Sequence, residues 1–404
     1  MSAIPWLFAA IVWLPVSFAG ALGFVPLVGI IGISALFCKK ELQFYPYIGV
    51  LIVAIIYAAI TSLWSPYTTP LVDINFAKGD FNVRSAVLRI ALIAIFGGIA
   101  LAGVQKIASK PSQWAINTLI VSLVLQGLSL VIIMHNREAV YDLFEPLITD
   151  EASAILNLSR NATTFGIGAI ILMSLIHNSK QYLGAFRGLV SAVFCFSTAY
   201  YLNSLSATAA AVAIVIAWLF MFLPQVCGKY TFRVIGYGTG VFVILSPVIF
   251  SVLIAVLGDR KEALELSFLW RVEIWSDVIR QTSDAPIWGR GLDALRTFDA
   301  VFQEGVWKGE RIIPWHAHNM FLHIWVETGY VGVCLVALAV FLLGRRLPAP
   351  SEIGPNAASA ACGLWAGCLA ICTFSFSLWN DWWWALVVVA VGFVILLRNA
   401  WVDE

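Results

Sequence analysis

The chain has 404 residues, of which 61% are hydrophobic and only 12% charged, with a formal net charge of +1 and a mean hydropathy of +0.89. Soluble domains carry about a quarter of their residues as charges, so this balance excludes one. It also lacks the basic excess that holds nucleic acid, which leaves membrane lipids as the expected surroundings and no nucleic-acid partner.

Apolar runs near the roughly 20 residues that cross a bilayer as a helix predict twelve spans. They are 1–18, 20–38, 44–63, 85–104, 113–134, 164–178, 188–203, 206–223, 234–257, 319–343, 357–377 and 381–397. Very short turns join the first two spans and the pair that meets at Asn203. The runs are continuous rather than alternating, which favours helices over a barrel. The first resembles a signal peptide only in being apolar, since no basic segment leads it and more spans follow. The predicted fold is an all-α polytopic membrane protein with a large, partly helical outer loop. Residues 1–257 supply nine spans, 258–318 the loop domain, and 319–404 three further spans and a cytoplasmic C-terminus.

Charge sets the expected orientation. With a cytoplasmic N-terminus, the inside segments carry Lys39, Lys40, Lys106, Lys110, Lys180, Arg187, Lys229, Arg233, Arg345, Arg346 and Arg398. Only Glu41, Glu352, Asp403 and Glu404 oppose them. These loops are short, where the positive-inside bias is strongest. Thirteen basic and nineteen acidic residues then fall outside, a net charge of −6.

A transporter spreads polar groups through the midplane of its helices. Here most spans lack ionisable residues, and charge collects in the outer segments 64–84, 135–163 and 258–318. The last is about sixty residues long, a length that usually serves function. The seven cysteines lie in or beside apolar spans without a CxxC pair, so they read as small packing residues. Neither a structural disulfide nor a zinc site is expected.

Within the large loop, Glu262–Thr282 fits a helix whose stripe is Leu264, Phe268, Arg271, Trp275 and Val278. Next to a bilayer such a helix lies against the membrane surface or the helix bundle. Glu273, Asp277 and Arg280 lie on its polar side, at spacings that allow surface pairing. Arg271 occupies a place where the stripe asks for an apolar residue. Its guanidinium either snorkels to the headgroups or stands over a cleft as a planar fork for an anion. Arg160, in NLSRNATTFG at the outer boundary, is an interfacial anchor or a second such group. Arg290, between the glycines of WGRGLD, is an anion ligand or part of a tight turn.

His316, His318 and His323 crowd the stretch WHAHNMFLH. Helical spacing separates them, with 316 and 318 diverging by about 200°, so a shared metal is not expected. His318 lies where loop becomes helix, close to water yet shielded. Such an imidazole can abstract a proton from a hydroxyl, and upstream arginines could hold a leaving phosphate. His316 and His323 read as hydrogen-bonded structural residues.

His318-Asn319, nine residues, Gly329, two residues, Gly332 is similar to the H-[NSQ]-x9-G-x-x-G signature of bacterial O-antigen ligases. The upstream WRVEIW…PIWGRGLD block resembles the segment that precedes it in the O-antigen ligase and polymerase superfamily. The resemblance implies an inner-membrane glycosyltransferase of the GT-C type with its active site facing the periplasm and both termini cytoplasmic. It implies transfer of O-antigen from undecaprenyl pyrophosphate to a lipid A-core sugar, by an inverting mechanism without metal, ATP or another cofactor. By position His318 takes the general-base role, and Arg271 and Arg160 bind the pyrophosphate. Arg290 is a further candidate for that anion. The alternatives are an O-antigen polymerase, a protein O-oligosaccharyltransferase and, from another class, a polytopic transporter or flippase. On this reading His316 and His323 serve as controls for His318, and Gly329 and Gly332 admit a close helix neighbour.

Overall fold

The computed structural model describes residues 3–37, 46–67, 73–75, 80–82, 86–136, 151–177, 205–314 and 316–402. Eleven of the predicted runs contain a helix among these residues. They are α1 (Ile4–Phe18), α2 (Phe24–Leu36), α3 (Pro46–Ile60), α4 (Ala86–Val104), α5 (Ser109–His135), α6 (Glu151–His177) and α7 (Leu205–Phe220). After them come α8 (Thr231–Leu257), α9 (Leu266–Thr282) in the large loop, α10 (Met320–Arg346), α11 (Pro355–Phe374) and α12 (Asp381–Val402). The predicted span 188–203 lies outside the described residues, as do Lys39, Lys40, Glu41, Lys180, Arg187, Asp403, Glu404, Cys38 and Cys195.

Helices form because a chain this apolar, placed in lipid, must satisfy each backbone N–H and C=O within its own segment. Seven helical stretches among the described residues are long and apolar enough to cross a membrane. One of them, Ala210–Ala263, holds both α7 and α8. α1 and α2, at 15 and 13 residues, are shorter than a full crossing. The all-α expectation needs one amendment: β1 (Asp73–Asn75) pairs antiparallel with β2 (Asp80–Asn82). α6 begins at Glu151, well before the predicted 164, so Arg160 sits inside a helix. No proline or glycine interrupts residues 151–165, and the helix runs through the polar stretch.

α8 packs along α10, α7 along α11, and α2 along α4, while α3 also meets α10. Small residues permit the first approach: a Cβ on Gly236 would lie 2.8 Å from the Gly344 Cα. Trp6 and Trp13 of α1 meet Phe393 of α12 and Phe24 of α2 edge-on, at 5.8 and 5.1 Å. Edge-to-face pairs of this kind add about 0.5–1.5 kcal/mol each to the burial itself.

α9 joins the bundle rather than lying out on a membrane surface. Val272, Trp275 and Val278 belong to the same buried core as the spans. Trp275 meets Phe250 of α8 edge-on at 4.8 Å and lies 6.2 Å from Phe374 of α11, ring centre to ring centre. A 3-10 turn at Gly258–Ala263 replaces the predicted first helical turn, and the Glu265 side chain caps α9 by accepting the amides of Ser267 and Phe268. The predicted surface pairing is rearranged. Glu273 pairs with Lys261 at 2.7 Å, and Asp277, which binds Arg280, is only 4% exposed. Packing against the bundle covers Asp277, which spacing alone left to solvent, while the Arg280 side chain stays largely exposed.

Candidate active site

The site assembles around the start of α10. Asn319 caps that helix, its Oδ1 accepting the amides of Phe321 and Leu322 at 3.0 Å each. A cap of this kind is worth about 1 kcal/mol, and here it fixes where loop ends and helix begins. His318 is therefore the last loop residue, half-buried, with a left-handed backbone at φ 49°.

Two tryptophans of α9 hold the chain that leads to it. Trp270 donates its indole N–H to the Ile312 carbonyl at 2.8 Å, and Trp275 donates to Ala317 at 3.1 Å. The WRVEIW block thus positions Ile312 and Ala317 along one helix.

Between these tryptophans lies Arg271. It is 7% exposed and points into the protein, so the snorkelling alternative does not hold. Its Nε donates to the Phe374 carbonyl at 3.1 Å, and Nη1 donates to the Ser267 carbonyl and hydroxyl at 3.0 and 3.1 Å. Hydrogen bonds from a charged donor contribute about 1.5–3 kcal/mol apiece, which makes the guanidinium rigid. Burial lowers its pKa to about 10, with Glu265 opposing, so it stays cationic at neutral pH.

His318 uses the very next carbonyl. Its Nδ1 lies 3.0 Å from Ser375 O. A carbonyl only accepts, so Nδ1 carries the proton and the lone pair falls on Nε2. Burial, and then the positive charge of Arg271, hold the imidazole's pKa down at about 4. At neutral pH His318 is an uncharged base beside a fixed cation.

The segment Ser375–Asn380 between α11 and α12 carries no motif of its own, yet much of the site converges on it. Trp379 donates to Glu327 at 2.8 Å, and Ser377 lies 3.5 Å from His323. Phe376 stacks on Trp382 at 4.9 Å, and the Arg160 guanidinium lies over that same Trp382 ring at 5.6 Å. Arg160 also reaches Gly20 O at 3.5 Å, and Asp381, the ion-pair partner of Arg89 at 3.4 Å, lies within its field. The visible signal was FSFSLWNDWWW, four tryptophans and an aspartate closing an apolar run.

Arg290 is placed differently. Its guanidinium donates to Gln281 O at 2.8 Å and to Asp284 at 2.9 Å, and its amide binds Val326 O at 2.7 Å. Among the described residues no bond joins it to His318 or Arg271. Its turn fills a break in α10 at Gly329, where φ is 62° and ψ −168°. There the amides of Tyr330 and Val331 pass to Pro286 and Ile287, while the carbonyls of Val326 and Glu327 accept from Arg290 and Gly291. Gly329 thus admits a loop rather than a neighbouring helix, and a Cβ on Gly332 would meet its own helix's Thr328. The expected helix–helix role of this pair is corrected accordingly.

The other histidines are not remote either. The His316 and His318 rings touch at a tilt of 48°, with centroids 4.1 Å apart. His323 Nε2 meets Glu327 Oε1 at 2.9 Å in a fully buried pair. Among the described residues no three His, Cys, Asp or Glu side chains gather as a metal set.

Residues 152–337, which include Arg160, Arg271, Arg290 and His318, match the O-antigen ligase family profile. A Rickettsia conorii protein with the provisional name polysaccharide ligase is 28% identical over 141 residues, 33% of this chain and 34% of that protein. A Rickettsia typhi protein of the same name is 24% identical over 230 residues, 54% of each. The chain spans between a third and about half the length of the curated relatives it matches. It is a multi-pass membrane protein whose residues 152–337 are similar to the O-antigen ligase family.

Proposed function

We propose that this protein is a glycosyltransferase that moves an O-antigen polysaccharide from undecaprenyl pyrophosphate onto a lipid A-core sugar at the periplasmic face of the inner membrane. One observation carries the reading: the adjacent carbonyls of Phe374 and Ser375 hold Arg271 and His318, a cation and a neutral base side by side. His318 Nε2 takes the proton of the acceptor hydroxyl, and the oxygen attacks the anomeric carbon from the face opposite the leaving group. The glycosidic C–O bond to phosphate breaks with inversion, and undecaprenyl pyrophosphate leaves with the electron pair. Arg271 and Arg160 meet the charge that builds on the leaving oxygens. Pyrophosphate beside Arg271 also cancels the charge that depresses His318, so donor binding strengthens the base. Arg290 takes part only if it exchanges Asp284 for the donor. The basic inside segments support the stated orientation.

The test uses purified full-length protein with lipid-linked glycan and either lipid A-core or a second lipid-linked glycan. Transfer to lipid A-core supports the ligase, whereas growth of the lipid-linked chain makes it a polymerase. His318→Ala is expected to remove transfer while leaving the melting temperature and donor binding intact. Wild-type transfer by that variant would sink the assignment.

A further inference from the structure

His318 holds a left-handed backbone conformation that is strained for a residue other than glycine, so its surroundings must impose it. Asn319 fixes the chain on one side, and Trp275 holds the Ala317 carbonyl just before it. A third contact acts directly on the strained residue. The His318 amide donates to Nδ1 of His316 at 3.2 Å. A side-chain acceptor that takes the N–H two residues ahead is the geometry of an Asx turn, here built by an imidazole. The same ring lies against the His318 imidazole.

We infer that His316 is a positioning residue for the base: its Nδ1 and ring together hold His318 in the left-handed conformation from which it meets the Ser375 carbonyl. The inference rests on the reading of His318 as base. His316 must be neutral to do this, because a protonated imidazole carries N–H on both nitrogens and accepts nothing. Burial first, then the fields of His318, His323, Arg271 and Arg296, keep its pKa well below the usual histidine range. An uncharged His316 also spares the neighbouring base a cation at van der Waals distance.

The experiment compares His316→Ala, His316→Asn and His316→Gln in the full-length protein. Asn places an oxygen near the position of Nδ1 and can rebuild the turn, whereas Gln carries its acceptor one bond farther out. His316→Ala is expected to lower kcat by about 10²-fold, the scale of a 1 Å misplacement, with KM for the donor within about threefold. His316→Asn should regain most of the lost kcat and His316→Gln should not. Wild-type kcat in His316→Ala, or equal activity of Asn and Gln, overturns the inference. A second readout needs no turnover. Nitrogen-15 spectra of imidazole-labelled protein should show His316 protonated only at Nε2, and His316→Ala should disturb the Nδ1–H signal of His318. A wild-type protein with these signals but no transfer would defeat the ligase reading alone. Absence of the signals, or no change at His318 in the variant, defeats the positioning role.

Discussion

Two polar clusters among the described residues are built on different terms. In the bundle interior, Trp13 donates to Gln126 at 3.1 Å, and Gln126 donates to Asn161 Oδ1 at 2.6 Å and Thr164 at 3.0 Å. The cluster ties α1, α5 and α6 through uncharged groups on regular helices. At the start of α10 the polar groups are ionisable, two imidazole rings are in contact, and one backbone is left-handed. Neutral amides bonded to one another across helices fix helix positions. Strained, ionisable groups beside water are a costly way to do that, and they persist where chemistry uses them.

The contrast can be broken by mutation. The largest effect is expected from Gly329→Val, because a side chain there needs φ 62° and would strike the Ile287 carbonyl and the Gly289 amide. Loss of monodisperse protein in detergent checks it, and a folded, active Val variant would show that the α10 break is dispensable. Arg271→Gln comes next. His318 is unprotonated above about pH 4 in the free protein, so the wild-type acid limb of kcat/KM should rise near pH 4 and stay flat through neutrality. Removing the Arg271 charge raises the His318 pKa and moves that limb toward higher pH, with a slower plateau; an unmoved limb would separate the two residues.

Gln126→Leu sharpens the other side. It leaves the Trp13 indole and Asn161 carboxamide without their partner, and about 1–3 kcal/mol of stability should go with them. The unfolding midpoint reads that loss, while transfer per folded molecule should stay within about threefold. A variant that melts normally but no longer transfers would reverse the roles of the clusters. The smallest effect is expected from Arg290→Ala, which loosens the 286–291 turn. A change in kcat/KM below about tenfold, or about 1.4 kcal/mol, favours a structural role, and a larger loss with raised donor KM favours an anion ligand.

Much of this was legible in the sequence. Continuous apolar runs marked the spans, and the four-and-three spacing from Leu264 to Val278 found the α9 stripe with Arg271 inside it. His318 was singled out by its place before Asn319, and Asn319 does cap α10. The burial of Asp277 was not legible, because the bundle that covers it comes from distant helices. Nor was the Gly329 break, since glycine inside an apolar run fits a close helix contact equally well. Arg160 was placed at a boundary, while its stacking on Trp382 depends on a segment more than two hundred residues away.

Sequence by itself determined the local properties: which stretches leave water, which helices form, and which residue stands at the start of α10. Hydrophobicity and helical period act over a few turns, so they can be read along the chain. Only tertiary structure decided what His318 and Arg271 touch. Their partners are neighbouring carbonyls 57 and 103 residues away, in a segment without a motif of its own. Backbone carbonyls are the same at every residue, so no side-chain pattern announces which of them will face a base. Packing of α9, α10 and α11 against one another makes that choice, and it also turns His316 from a bystander into the neighbour of His318.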